Sequence, residues 1–296
     1  MSAASEMMAA NDRPDLEQWL QGRSFEDWYA EYDRNGFVRI PNVLTREDVA
    51  AVREALDPYL TKNITGRNDF EGYASNRVYA LLAKGAIFSK LAAHPLALAF
   101  VERELGPTAL LSACLAINLH PGESVQPWHW DDSHIEVPLP RRPFGVSTFW
   151  AIDDMTETNG STEIIPRSHL WTEAETNELQ DVDFTTRREH DAPDANIDPA
   201  AHPDGLKATM PSGSLMIAKG TLTHRGGANV SDAARLIITP QYCAGWARPL
   251  ENMSLAVPPH IAKTLPERAQ ELLGYSIHAP FMGYVDGTHP KRVLAS

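Results

Sequence analysis

From Ala109 to Tyr242 the chain is a succession of short apolar runs, each closed by turn-forming residues. Leu110–Leu119 stops at Pro121-Gly122, and Gly145–Ile152 runs into a turn that ends at Asn159-Gly160. Thr162–Pro166, Ser214–Ala218 and Arg235–Tyr242 complete the set. Apolar runs of this length, bounded by Gly, Pro, Asn and Asp, read as strands. The first third has a helical texture instead. Phe25–Asn35 places aromatics at helical spacing and stops at Gly36, a residue suited to the left-handed end of a helix. A short strand, Phe37–Val43, follows. Thr45-Arg46-Glu47-Asp48 is a helix-start signature, and the helix it opens puts Val49, Val52, Leu56 and Leu60 on one face. A second helical stretch, Ala86–Leu105, is interrupted near Pro95 and ended by Gly106-Pro107. Helices followed by short strands predict a mainly β, α+β architecture, antiparallel sheets buttressed by helices.

With no repeat and no long linker, the 296 residues read as one domain, 1–296, with residues 1–12 disordered. The acidic stretch 171–206 reads as an inserted loop or lid. A net charge of −13 argues against nucleic acid, whose phosphates reward Lys and Arg, and against anionic membrane surfaces. No apolar run reaches membrane-spanning length, and the N-terminus lacks a basic segment followed by an apolar one, so the expected location is cytoplasmic. Cys114 and Cys243, the two cysteines, sit in apolar runs and read as buried free thiols.

Chemistry concentrates in Gln126-Pro127-Trp128-His129-Trp130-Asp131-Asp132. In an extended strand His129 and Asp131 project to one side, with Trp130 turned away into packing. His-x-Asp alone is a weak signal. Three further features strengthen it. His224, among small residues, supplies a third donor; two imidazoles and one carboxylate on one face of a metal form the facial triad of non-haem Fe(II) oxygenases. Arg235 follows across the turn-forming Gly226–Asp232; if that stretch is a hairpin loop, His224 and Arg235 become neighbours and the guanidinium can grip a carboxylate. Gln126 adds a polar group beside the first ligands. Asp132 reads as a turn former, and Arg225, next to His224, should face away from the metal.

The ordered combination of Gln126-x-x-His129-x-Asp131, the stretch from Phe149 to His169, then His224 and Arg235 resembles the phytanoyl-CoA dioxygenase family, over about Gly36 to Tyr242. The resemblance implies a double-stranded β-helix (jelly-roll, cupin-like) core. It also implies Fe(II) held by His129, Asp131 and His224, 2-oxoglutarate and O2 as co-substrates, and Arg235 on the distal carboxylate of 2-oxoglutarate. It places Gln126, Trp150 and Thr162 near that co-substrate. One departure is Arg167, where family members commonly carry Gly, which should alter a turn. Halogenases of the wider group lack the carboxylate that Asp131 supplies, so the implied outcome is oxidation of an organic small molecule, with release of succinate and CO2. The protein would work as a monomer or homodimer. A zinc-type hydrolase using the same ligands, and a non-catalytic jelly-roll binding protein, are the alternative readings; neither requires Arg235.

Overall fold

The computed structural model describes residues 15–60, 66, 68, 70–179, 194–196, 198 and 200–295. The expectation for residues 1–12, and that for residues 180–193 of the acidic stretch, lie outside the described residues. Among the described residues no helix is long and apolar enough to cross a membrane.

Local chemistry sets the helix ends. Helix α1 (Phe25–Asn35) begins at a reciprocal cap, Ser24 accepting from the Asp27 amide while the Asp27 carboxylate accepts from the Ser24 amide, and ends at Gly36 with φ 84°. Thr45 and Asp48 cap α2 (Arg46–Leu60) in the same way, at 3.1 and 3.3 Å. The stretch expected as one interrupted helix is two, α3 (Ala86–Ala92) and α4 (Pro95–Leu105), because Pro95 sits comfortably only in a first turn.

Among the described residues there are nine strands: β1 (Phe37–Ile40), β2 (Ser75–Val78), β3 (Leu110–Leu119), β4 (Gly145–Ala151), β5 (Thr162–Ile164), β6 (Leu206–Lys207), β7 (Leu215–Lys219), β8 (His224–Gly226) and β9 (Arg235–Cys243); six follow the expected runs closely, and the short β2, β6 and β8 are additions. They form two antiparallel sheets, a six-stranded one ordered β1-β7-β4-β9-β3-β2 and a three-stranded one ordered β6-β5-β8. Alternation along the large sheet divides the core. Cys114, Val146, Trp150, Leu236 and Ile238 pack against Leu56, Phe88 and Phe100 of the helices. Phe149, Met216 and Ile237 point the other way and meet Ile164 and Leu222. The architecture is thus mixed, helices on one face of a large antiparallel sheet and a small sheet on the other.

One expectation about the chain path is corrected. Residues 226–235 are not a hairpin loop: β8 pairs with β5 in the small sheet, whereas β9 lies between β3 and β4 in the large one. Asn229 organises the crossing, donating to Leu119 O at 3.0 Å and Ala233 O at 2.9 Å, which fixes the link against the end of β3. The described parts of the acidic stretch pack behind the small sheet, where Trp128 donates to Ala200 O at 2.7 Å and Arg225 to Asp198 at 2.9 Å. At Arg167 the turn survives without glycine, the backbone taking φ 69°.

Candidate functional site

A cavity of about 580 Å³ opens between the sheets. Its floor comes from the inward-facing positions of two neighbouring strands, Ala113, Leu115, Ile117 and Leu119 on β3 and Arg235, Ile237, Thr239 and Gln241 on β9. The small sheet adds His224, Gly226 and Thr162.

His129, Asp131 and His224 converge here, with a ligand atom of each within 4.8 Å of the others. His129 and His224 are paired by two backbone hydrogen bonds, of 3.0 and 2.8 Å, which brings their rings to 4.5 Å. Asp131 joins them differently from the expected strand. Trp130 is extended, but Asp131 opens a one-turn 3-10 helix, Asp131–His134, and Trp130 lines the cavity instead of turning away. Both imidazoles are oriented from behind: His129 Nδ1 lies 2.9 Å from Pro127 O and His224 Nδ1 3.0 Å from Leu222 O. A carbonyl only accepts, so each Nδ1 carries the proton and each Nε2 presents a lone pair. Burial, and then the neighbouring His224, push His129 down to about 4, which keeps it neutral and fit for a metal at pH 7.

Asp131 is gripped on one oxygen only. Ser147 Oγ donates to Oδ2, and Gln241 Nε2 lies 3.3 Å from the same atom. Ser147 and Gln241 are register partners on β4 and β9, so the sheet itself builds the clamp. Oδ1 remains on the side of the histidines, 3.8 Å from His224 Nε2. Neither clamp residue was singled out from the sequence, where each is one polar residue inside an apolar run. Asp132 does more than form a turn: its carboxylate accepts from the Phe144 amide at 2.7 Å and from Arg141 at 3.1 Å, fixing the segment behind Asp131.

Arg235 is 2% exposed and reaches the same cavity, not as a hairpin neighbour of His224 but from the opposite sheet. Nη2 donates to Gly160 O; Nε and Nη1 are buried without a partner among the described residues. Burial and the field of Arg77 push the guanidinium down to about 10. Arg77, on β2, is a second cavity cation, held by the Glu71 and Phe70 carbonyls at 2.9 and 2.8 Å. It was not singled out from the sequence; Tyr79, two residues on, lines the cavity with it.

Gln126 lines the cavity, its Oε1 accepting from the Gly226 amide at 2.7 Å and its Nε2 donating to Phe70 O, so it ties β8 to the loop before β2. Thr162 lies on the wall beside Gly226, its register partner. Trp150 does not belong to this group. Strand alternation turns it to the helix side, against His94 at 5.0 Å, and the cavity residue at this point is Phe149. His134 stands exposed at the mouth, His169 Nε2 donates to Asp33 O at 3.0 Å, and both cysteines are buried and free.

Three metal-competent donors thus share a cavity with a buried guanidinium, two of whose nitrogens have no partner among the described residues. Comparison with known proteins agrees with that composition. The family model for phytanoyl-CoA dioxygenase (PhyH) matches residues 32–237. Dioxygenase af480 of Aspergillus fumigatus is 29% identical over 270 residues, 88% of this chain and 79% of that relative. Dioxygenase FUM3 of Gibberella moniliformis is 26% identical over 289 residues, covering 91% of this chain and 89% of its own. HygX from Streptomyces hygroscopicus, solved with nickel and 2-oxoglutarate bound, shares the fold with a TM-score of 0.59 at 16% identity, over 77% of this chain and 90% of HygX. The non-heme alpha ketoglutarate dependent epimerase SnoN, from nogalamycin biosynthesis, does so with a TM-score of 0.57 at 18% identity, over 79% and 88%. Since the family match takes in all three donors and Arg235, and spans both sheets around them, the chain belongs to the phytanoyl-CoA dioxygenase family.

Proposed function

We propose that the protein is an Fe(II)- and 2-oxoglutarate-dependent oxygenase that oxidises an organic small molecule, with hydroxylation the expected reaction and succinate and CO2 the co-products. One observation carries this reading: the buried Arg235 guanidinium with two unpartnered nitrogens in the cavity that holds the donor cluster. An uncompensated buried cation is costly, so a site that keeps one is built to receive an anion. Zinc-type hydrolysis has no use for it.

His129 Nε2, Asp131 Oδ1 and His224 Nε2 would hold the iron, which supplies the oxygen-activating redox chemistry when bound. Arg235 would take the distal carboxylate of 2-oxoglutarate through Nε and Nη1, with Arg77 adding positive charge across the cavity. Gln126 and Thr162 form the wall beside that carboxylate path. Ser147 and Gln241, by engaging Asp131 Oδ2, would leave Oδ1 as the oxygen offered to the metal. Leu115, Ile117, Phe149 and Ile237 exclude water around the reacting centre.

The expected result of a metabolite-library screen is succinate release that needs Fe(II), 2-oxoglutarate and O2 and rises with particular organic compounds. Zinc-dependent hydrolysis of a library compound, with 2-oxoglutarate unconsumed, would overturn the reading.

A further inference from the structure

Along β3 and β9 the cavity runs from a cationic end, where Arg235 lies opposite Leu119, to a second end, where Gln241 lies opposite Ala113. Six residues of extended strand separate them, about 20 Å. The oxygenase reading accounts for the donor cluster and the cationic end. It leaves two buried polar atoms of the cavity residues without a function, Thr239 Oγ1 and Glu251 Oε2, both unpartnered among the described residues.

Their placement is specific. Thr239 is 2% exposed and lies opposite Leu115, facing the cavity. Glu251 comes from the tail beyond β9 and is anchored to β3: its amide donates to Ser112 O at 2.7 Å, while the Leu250 amide donates to Ser112 Oγ at 3.0 Å. Ala113 and Leu115 give this end apolar lining, and the exposed Tyr79 and Leu250 also line the cavity. Burial therefore raises the Glu251 carboxyl, and the backbone of Ala80 and Cys114 and the charge of Lys84, acting through space, pull it back only in part. A carboxylate oxygen in such a wall demands a donor. An anionic ligand would be repelled. A neutral hydroxyl would satisfy the hydrogen bond and leave the charge, whereas an ammonium supplies both.

We propose that Thr239 and Glu251 form the recognition site for the primary substrate, and that this site takes a protonated amine carried on an apolar skeleton. Calling that ligand the substrate rests on the oxygenase reading. The ammonium donates to Glu251 Oε2 and Thr239 Oγ1, and the skeleton lies along the apolar wall.

The test is calorimetric titration of n-octylamine, n-octanol and octanoate into anaerobic Fe(II)-loaded protein, at a pH of about 7.5 where the amine is charged. Octylamine should bind about tenfold tighter than octanol, and octanoate weakest, as expected of a charge-assisted pair with a partly buried carboxylate. Glu251→Gln keeps the shape without the charge, and should abolish the amine preference while leaving octanol within about twofold. Octylamine binding no tighter than octanol, a preference that survives Glu251→Gln, or no binding by any of the three would overturn the proposal. Should Glu251→Gln not fold, the wild-type ligand series decides alone. Titrating 2-oxoglutarate into the same samples separates the two readings: normal 2-oxoglutarate binding without amine preference overturns this proposal only, and amine preference without 2-oxoglutarate binding overturns the oxygenase reading.

Discussion

Replacing Arg235 by leucine is expected to raise the Kd for 2-oxoglutarate at least thirtyfold while iron remains bound. The guanidinium is fully buried, its Nε and Nη1 have no partner among the described residues, and among those residues Arg77 is the other arginine or lysine lining the cavity. A desolvated charge-assisted pair of this kind is worth roughly 2–5 kcal/mol. At about 1.4 kcal/mol per decade, that is a loss of some thirtyfold to several thousandfold. Iron should be spared because Arg235 touches neither His129, Asp131 nor His224; its one hydrogen bond is to Gly160 O. Anaerobic titration of 2-oxoglutarate into the Fe(II)-loaded variant measures the effect. An affinity within about twofold of wild type would mean that the carboxylate is held elsewhere, with Arg77 the residue to examine next.

Arg225→Leu should damage the fold rather than co-substrate binding. Arg225 follows His224 on β8 and faces away from the metal donors, as alternation requires. Behind the strand it is 1% exposed, donates to Glu163 at 2.7 Å and to Asp198 at 2.9 Å, and stacks over Trp128 at 4.2 Å. Glu163 is its register partner on β5, so the pair also ties the small sheet together. Removing the cation strands a buried carboxylate, at a cost of about 3–5 kcal/mol. Thermal unfolding should report a midpoint lowered by roughly 5–15 °C. A midpoint within a degree or two of wild type would contradict the network, and a normal midpoint with lost 2-oxoglutarate affinity would reverse the roles given to Arg225 and Arg235.

These two arginines mark the boundary of what the sequence could express. Strand alternation correctly turned Arg225 away from the metal donors, but what lay behind the strand depended on Asp198 and Ala200, far along an acidic stretch that read as an inserted loop or lid. Arg235 was legible as a cation belonging near the metal donors, and it does line their cavity. Its route into the cavity was not, because a turn-rich link reads the same whether it closes a hairpin or crosses between sheets, and Asn229 binding the end of β3 decides the matter. Strand and helix positions were readable to within a few residues, since apolar runs, caps and Pro95 are local signals. Trp150 shows how narrow the margin is: a one-residue error in strand phase moves a side chain from cavity to core, and Phe149 holds the place assigned to its neighbour. Ser147, Gln241, Arg77 and Glu251 carry no local signal. They acquire meaning only when β2, β4, β9 and the tail are assembled around one cavity.

The central claim is that one cavity holds a metal on His129, Asp131 and His224 and a 2-oxo acid on Arg235 together. Anaerobic addition of 2-oxoglutarate to the Fe(II)-loaded protein tests it in one spectrum. The account predicts the weak visible absorption that a 2-oxo acid gives on Fe(II), absent with iron alone and absent when succinate replaces 2-oxoglutarate. Folded, iron-loaded protein that shows no such absorption at saturating 2-oxoglutarate would contradict it.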